Sequence, residues 1–139
     1  MQSRLTVRAD ADALRHVSEF VGEFTLRHRI EAADRARIAI VLEELLTNLL
    51  KYGYIDRSEP GAAEVVLELE GDRLSIEFAD DGRPFDPLAE PPPDLDEPVR
   101  SRPVGKLGLE IVRALTHEVS YRRDHDRNIV RMVRRVTLV

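Results

Sequence analysis

Leu42-Glu43-Glu44-Leu45-Leu46-Thr47-Asn48-Leu49-Leu50-Lys51-Tyr52-Gly53-Tyr54 is the stretch from which the rest of the chain can be read. Glu44 and Asn48 lie four residues apart, which sets a carboxylate and a carboxamide one turn apart on one face of a helix. Ile38, Val41, Leu42, Leu45, Leu46 and Leu49 recur at helical spacing and supply an apolar stripe for burial on the opposite side. An Asn side-chain oxygen suits a hard cation, and a Glu nearby can accept a proton. Read without its surroundings, Glu44 is a solvated helix charge no different from Glu43. Its meaning depends on what the other segments bring to it.

The chain has 139 residues, 42% hydrophobic and 34% charged, which fits one globular domain of ordinary size. Cysteine is absent, so disulfides and thiolate metal sites are excluded. That absence fits a cytoplasmic setting. No apolar run approaches membrane-spanning length, and Met1-Gln2-Ser3-Arg4 does not begin a signal peptide. A net charge of -5 argues against general nucleic-acid binding. Arginines nevertheless crowd the last third, at 113, 122, 123, 127, 131, 134 and 135. They read as strand-edge solubility, with a phosphate-facing or partner-facing patch as the alternative.

The pattern predicts a strand at Leu5–Arg8, then a helix capped by Asp10 or Asp12 with Leu14, Val17, Val21 and Phe24 on its apolar seam. A second helix is expected from about Ala32 to Tyr52, stopping at Gly53. Glu64–Glu70 and Arg73–Ala79 read as paired strands around Gly71-Asp72. In the second, Leu74, Ile76 and Phe78 alternate with Ser75 and Glu77, and period two carries the same face on to Asp80. A carboxylate at the strand end thus points the way the core residues point. Asp81 to Pro103 holds most of the eight prolines and little periodicity, which marks a functional or mobile loop. A third helix opens at Gly105-Lys106-Leu107-Gly108-Leu109, and two closing strands follow across the Asp124–Asn128 turn. The order β-α-α-β-β-loop-α-β-β implies an α+β sandwich, a mixed sheet with helices packed on one face.

Three separated segments therefore converge: the Glu44/Asn48 helix, the Asp80-Asp81-Gly82 strand end, and the Gly-rich entry to the third helix. The arrangement resembles the GHKL (Bergerat) nucleotide-binding superfamily, which includes gyrase, Hsp90, histidine kinases and MutL. Glu44-x-x-x-Asn48 is similar to its N box, Asp80 to Pro87 to its G1 box, and Gly105-Lys106-Leu107-Gly108-Leu109 to its G2 box. Within that superfamily the chain resembles the anti-sigma-factor serine kinases of bacterial partner switching. Pro84-Phe85-Asp86-Pro87, the brevity of the chain and the Asn128-Ile129-Val130 ending carry that likeness.

The resemblance implies one ATP-binding kinase domain over residues 1–139 with a mobile lid at about 83–104. It implies ATP and Mg²⁺ as cofactors. Asn48 would ligate the metal, Glu44 would be the catalytic base for a serine hydroxyl, and Asp80 would accept from the adenine amino group. Gly82 would leave room for the adenine edge, and Gly105, Lys106, Leu107 and Gly108 would surround the phosphates. Lys106 stands where that box usually has glycine; it could add a charge to the phosphates or restrict the loop. The implied partners are an anti-sigma-factor antagonist carrying a phosphorylatable serine, and a sigma factor or equivalent regulator. The first strand, as a sheet edge, could pair with a second copy. Two other readings stay open: an ATP-holding module that transfers nothing, and a detached histidine-kinase ATP domain. Asp124-His125-Asp126 has metal-ligating residue types but reads as a solvated turn.

Overall fold

The computed structural model describes residues 1–88 and 112–139. The elements are β1 (Gln2–Arg8), α1 (Ala13–Arg27), α2 (Ala32–Asn48) with a π-turn over Leu49–Gly53, β2 (Ala62–Glu70), β3 (Arg73–Asp80), β4 (Glu118–Asp124) and β5 (Arg127–Arg135). Residues 112–115 are helical. The strands form one sheet in the order β1-β2-β3-β5-β4.

Alternation decides which face of the sheet is buried. Leu5, Val65, Phe78, Val130 and Tyr121 lie side by side across all five strands, and Ser3, Leu67, Ile76, Met132 and Val119 form a parallel row. Ile76, Phe78, Leu67 and Met132 are almost wholly buried on this face. They share one core with Ala13, Val17, Val21 and Phe24 of α1 and Ile38, Val41, Leu42, Leu45 and Leu46 of α2. The two-layer sandwich follows from these matching stripes. Leu14, expected on the α1 seam, is instead exposed and Ala13 takes the buried place. The opposite sheet face mixes Val66, Ala79, Ile129 and Val133 with charged residues, Arg4 and Arg127 both near Glu64 and Arg122 near Glu77.

The expected mixed sheet is corrected: among the described residues every strand pairing is antiparallel. The reason lies in the two hairpins. Gly71, at φ +60, turns β2 into β3, and His125, at φ +56, turns β4 into β5. β3 and β4 run in the same sense, but β5 folds back between them, so no parallel neighbours meet. The second helix also ends earlier than expected, with its last turn widened into the π-turn before Gly53. Among the described residues no helix is long and apolar enough to cross a membrane.

One buried polar knot ties the start of α2 to the C-terminal segment. Asp34, in the first turn of α2, is 3% exposed. Its Oδ1 accepts from Arg134 Nη2 at 2.9 Å and Arg37 Nη1 at 3.1 Å, and its Oδ2 from the Thr137 N–H at 2.7 Å. Arg134 also donates to the Leu115 carbonyl. Burial alone would raise the Asp34 carboxyl, but the Thr137 N–H and the two guanidinium groups outweigh it and hold it below its ordinary value. Arg134 is thus no solubility residue, contrary to the plain reading of the arginine-rich tail.

Candidate functional site

The next row along the core face changes character. Beyond Leu5–Val65–Phe78–Val130–Tyr121 comes Val7, Ala63, Asp80, Asn128 and Arg123. Asp80 is where the strand phase predicts it, on the core face and 7% exposed. Its Oδ1 accepts from the Gly82 N–H at 2.9 Å and from Asn128 Nδ2 at 3.0 Å. Oδ2 takes no hydrogen bond from the described residues. Burial pushes the Asp80 carboxyl above its ordinary value and Asp81 adds to this, while Asn128, Gly82 and Arg123 hold it back.

Asn48, at the last position of α2, faces the same cavity as Asp80, between Leu45, Leu49, Phe78 and Val130. It is 7% exposed, and its Nδ2 is buried with no hydrogen-bond partner among the described residues. A buried amide left unpaired is costly, and it marks a place where a polar ligand would be welcome. Glu44, one turn earlier, is half-buried while Glu43 is exposed, so the two neighbours are not equivalent. Glu44 does not line the cavity itself. Tyr52, Gly53 and Phe85 complete one side of it. Gly105, Lys106, Leu107 and Gly108 lie outside the described residues, as does most of the expected lid.

The strand end is welded to the helix end. Gly53 and Gly82 meet backbone to backbone: a Cβ on Gly82 would stand 2.9 Å from Leu49 Cδ1 and 3.2 Å from Gly53 Cα. The room left by the missing Cβ is therefore used by the protein's own packing. The Arg83 N–H donates to the Gly53 carbonyl at 2.9 Å. Asp81 points the other way and gathers Tyr54 Oη at 2.7 Å, the Ala62 N–H at 3.1 Å and Arg57 at 3.3 Å. Arg57 stacks 4.5 Å above the Tyr54 ring. Burial, then the Asp81 carboxylate, raise the Tyr54 hydroxyl far above its ordinary value. Gly61 is required here, since its Cβ would fall 1.9 Å from Asp81 Oδ2. The Asp81 clasp thus fixes the exit of the Asn48 helix against the strand that carries Asp80.

Asn128 is the residue that the sequence pattern did not single out as a site. It sits opposite Asp80 in the ladder, is 3% exposed, and binds Asp80, Arg83, Phe85 and Tyr121. Its phase with Val130 and Met132 was the available signal. Asp124 and His125 make only an exposed contact with each other, and the described residues contain no group of three acidic or His side chains able to hold a metal.

The family described as histidine kinase-like ATPase domain matches residues 7–134. The serine/threonine-protein kinase BtrW of Bordetella bronchiseptica is 25% identical over 123 residues, 88% of this chain and 83% of that protein. The serine-protein kinase RsbW of Bacillus cereus is 28% identical over 101 residues, 70% of this chain and 62% of that protein. Among solved structures, the RsbU and RsbW domains of a Mycobacterium tuberculosis protein superpose with a TM-score of 0.70 at 19% identity, covering 98% of this chain and 32% of that one. The SiaB–SiaC complex of Pseudomonas aeruginosa gives a TM-score of 0.60 at 13% identity, covering 97% of this chain and 89% of that one.

Proposed function

Because this chain belongs to the family of histidine kinase-like ATPase domains, we propose that the cavity between Asn48 and Asp80 holds ATP with Mg²⁺ and that the protein is a serine kinase of the partner-switching kind. The observation that carries the reading is a pair of polar groups on one cavity with no hydrogen-bond partner among the described residues: Asp80 Oδ2 and Asn48 Nδ2. Asp80 and Asn48 are both buried residues.

The residues fit the cofactors. Asn48 can turn either amide atom toward a ligand, and its oxygen suits Mg²⁺, which prefers one or two protein oxygens plus phosphates over an all-protein cage. When bound, Mg²⁺ supplies charge neutralisation on the phosphates during transfer. Asp80 accepts from the adenine amino group, Gly82 keeps the strand end close, and Gly105, Lys106, Leu107 and Gly108 would be the residues that meet the phosphates. Glu44 takes the proton of the incoming serine hydroxyl. Its place outside the cavity lining suits a base that acts at the far end of the nucleotide. Residues 1–139 would form one such domain, with a lid over about 83–104.

The phosphorylated partner would be an anti-sigma-factor antagonist bearing a serine, and the alternate partner a sigma factor or similar regulator. The relatives named serine-protein kinases support this. β1 is an edge strand, and pairing of two copies along it would give a homodimer. A cytoplasmic location goes with these partners.

Asp80→Asn is expected to weaken Mg·ATP binding ten- to a hundredfold, the worth of about 1.5–3 kcal/mol for a hydrogen bond to a charged group. Unfolding midpoint should change little. Unaltered affinity in that variant would remove Asp80 from the adenine contact.

The function is tested by incubation with γ-phosphate-labelled ATP and a serine-bearing antagonist. Acid-stable phosphoserine is the expected product. Acid-labile label on a partner His would move the protein to the histidine kinases. Nucleotide binding without transfer would favour a module that only holds ATP.

A further inference from the structure

Five hydrogen bonds converge on the side chain of Asn128: Nδ2 donates to Asp80 Oδ1 at 3.0 Å, to the Arg83 carbonyl at 2.8 Å and to the Gly82 carbonyl at 3.5 Å, while Oδ1 accepts from Tyr121 Oη at 2.6 Å and the Phe85 N–H at 3.2 Å. An amide offers two hydrogens and two lone pairs, so this one is saturated. Its orientation is also forced. A backbone N–H can only donate and backbone carbonyls can only accept, so the oxygen must face Phe85 and the nitrogen must face Gly82 and Arg83. The nitrogen is thereby aimed at Asp80.

The consequence falls on Asp80. Oδ1 receives two donors, from Gly82 and Asn128, and is fully engaged. Oδ2 is left as the oxygen available to the cavity, and because the two oxygens of a carboxylate are equivalent, one engaged and one available oxygen is the arrangement kept whichever way it turns. We propose that Asn128 is the positioning residue that gives the site its choice of base: by holding Asp80 through Oδ1, it presents one fixed acceptor to a purine amino group and turns away a purine with a carbonyl at that position. A 6-amino group meets Oδ2 with a hydrogen, whereas a 6-oxo group meets it with a lone pair. The inference rests on the nucleotide reading of the same cavity and adds the residue that sets its selectivity. Anchoring of Arg83 and Phe85 by the same amide would also align the segment leaving the site.

Calorimetric titration of Mg·ADP and Mg·IDP into the full chain separates selectivity from mere support. Wild-type protein should prefer ADP by about ten- to a hundredfold, and Asn128→Ala should lower that ratio about tenfold, the effect of one hydrogen bond to a charged group. Equal weakening of both nucleotides, with the ratio kept, would make Asn128 a structural support and overturn the proposal. If Asn128→Ala does not fold, Asn128→Ser is read instead, since its shorter side chain withdraws the donor from Asp80 while keeping a small polar group at the position. A ratio below wild type is then expected, and an unchanged ratio overturns the proposal. Wild-type protein that binds neither nucleotide overturns the nucleotide reading itself, and this inference with it.

Discussion

Replacing Asp34 by alanine is expected to cost about 3–5 kcal/mol of folding stability, the usual loss when one partner of a buried ion pair is removed. The substitution leaves the Arg134 guanidinium, whose side chain is only 15% exposed, without its carboxylate. It also strands the Thr137 N–H. Three parts of the chain loosen together, because Asp34 lies in the first turn of α2, Arg134 lies near the end of β5, and Arg134 also holds the Leu115 carbonyl at the end of the helical residues 112–115. Against a typical total of about 5–15 kcal/mol, such a loss is a large fraction. Urea denaturation should show a lower midpoint with little change in slope. The pH dependence has a definite sign. The folded carboxyl lies below its ordinary value, so its contribution is complete above the unfolded carboxylate range and fades as pH falls through the lowered folded value. Asp34→Ala should flatten that acid limb. A loss under about 1 kcal/mol, the range of exposed pairs, would show that the knot is not the clamp described.

Glu44→Gln is expected to leave Mg·ATP binding intact and to reduce phosphate transfer to a serine partner by about 10²- to 10⁴-fold, the range ascribed to a positioned general base. Gln keeps the size and the helix propensity of Glu, so folding should be unaffected. Glu43→Gln is the matched control. Glu43 is exposed on the same helix, and its substitution should leave transfer unchanged. A Glu44→Gln protein that still transfers at the wild-type rate would make Glu44 a bystander.

The sequence was readable where its signals are local. Leu74, Ile76, Phe78 and Asp80 share one face because a strand has period two, and that phase placed the carboxylate correctly. The Asn48 position followed from a four-residue spacing on an apolar-striped helix, and Gly71-Asp72 announced its hairpin. What stayed hidden depends on pairings across long separations. Asp34 reads as an ordinary first-turn acid, since its partners Arg134 and Thr137 are 100 and 103 residues away. Asn128 acquires its role only when β5 docks beside β3 and brings it opposite Asp80, 48 residues distant. The antiparallel sheet was missed for the same reason, because β5 inserts between two strands that run in one direction. The π-turn at Leu49–Gly53 has no pattern of its own; it answers to the close packing of Gly53 on Gly82. Wide turns of this kind often mark functional positions, and this one lies directly after Asn48.

The central claim is that Asn48 and Asp80 face one nucleotide. Calorimetric titration of Mg·ATP into wild-type protein and Asn48→Ala, each with and without Mg²⁺, tests it most directly. The account predicts Mg²⁺-dependent binding to wild type that is lost in the variant while the fold is kept. Absence of binding to a folded wild-type protein would contradict it, and the cavity would then belong to a nucleotide-free interaction domain.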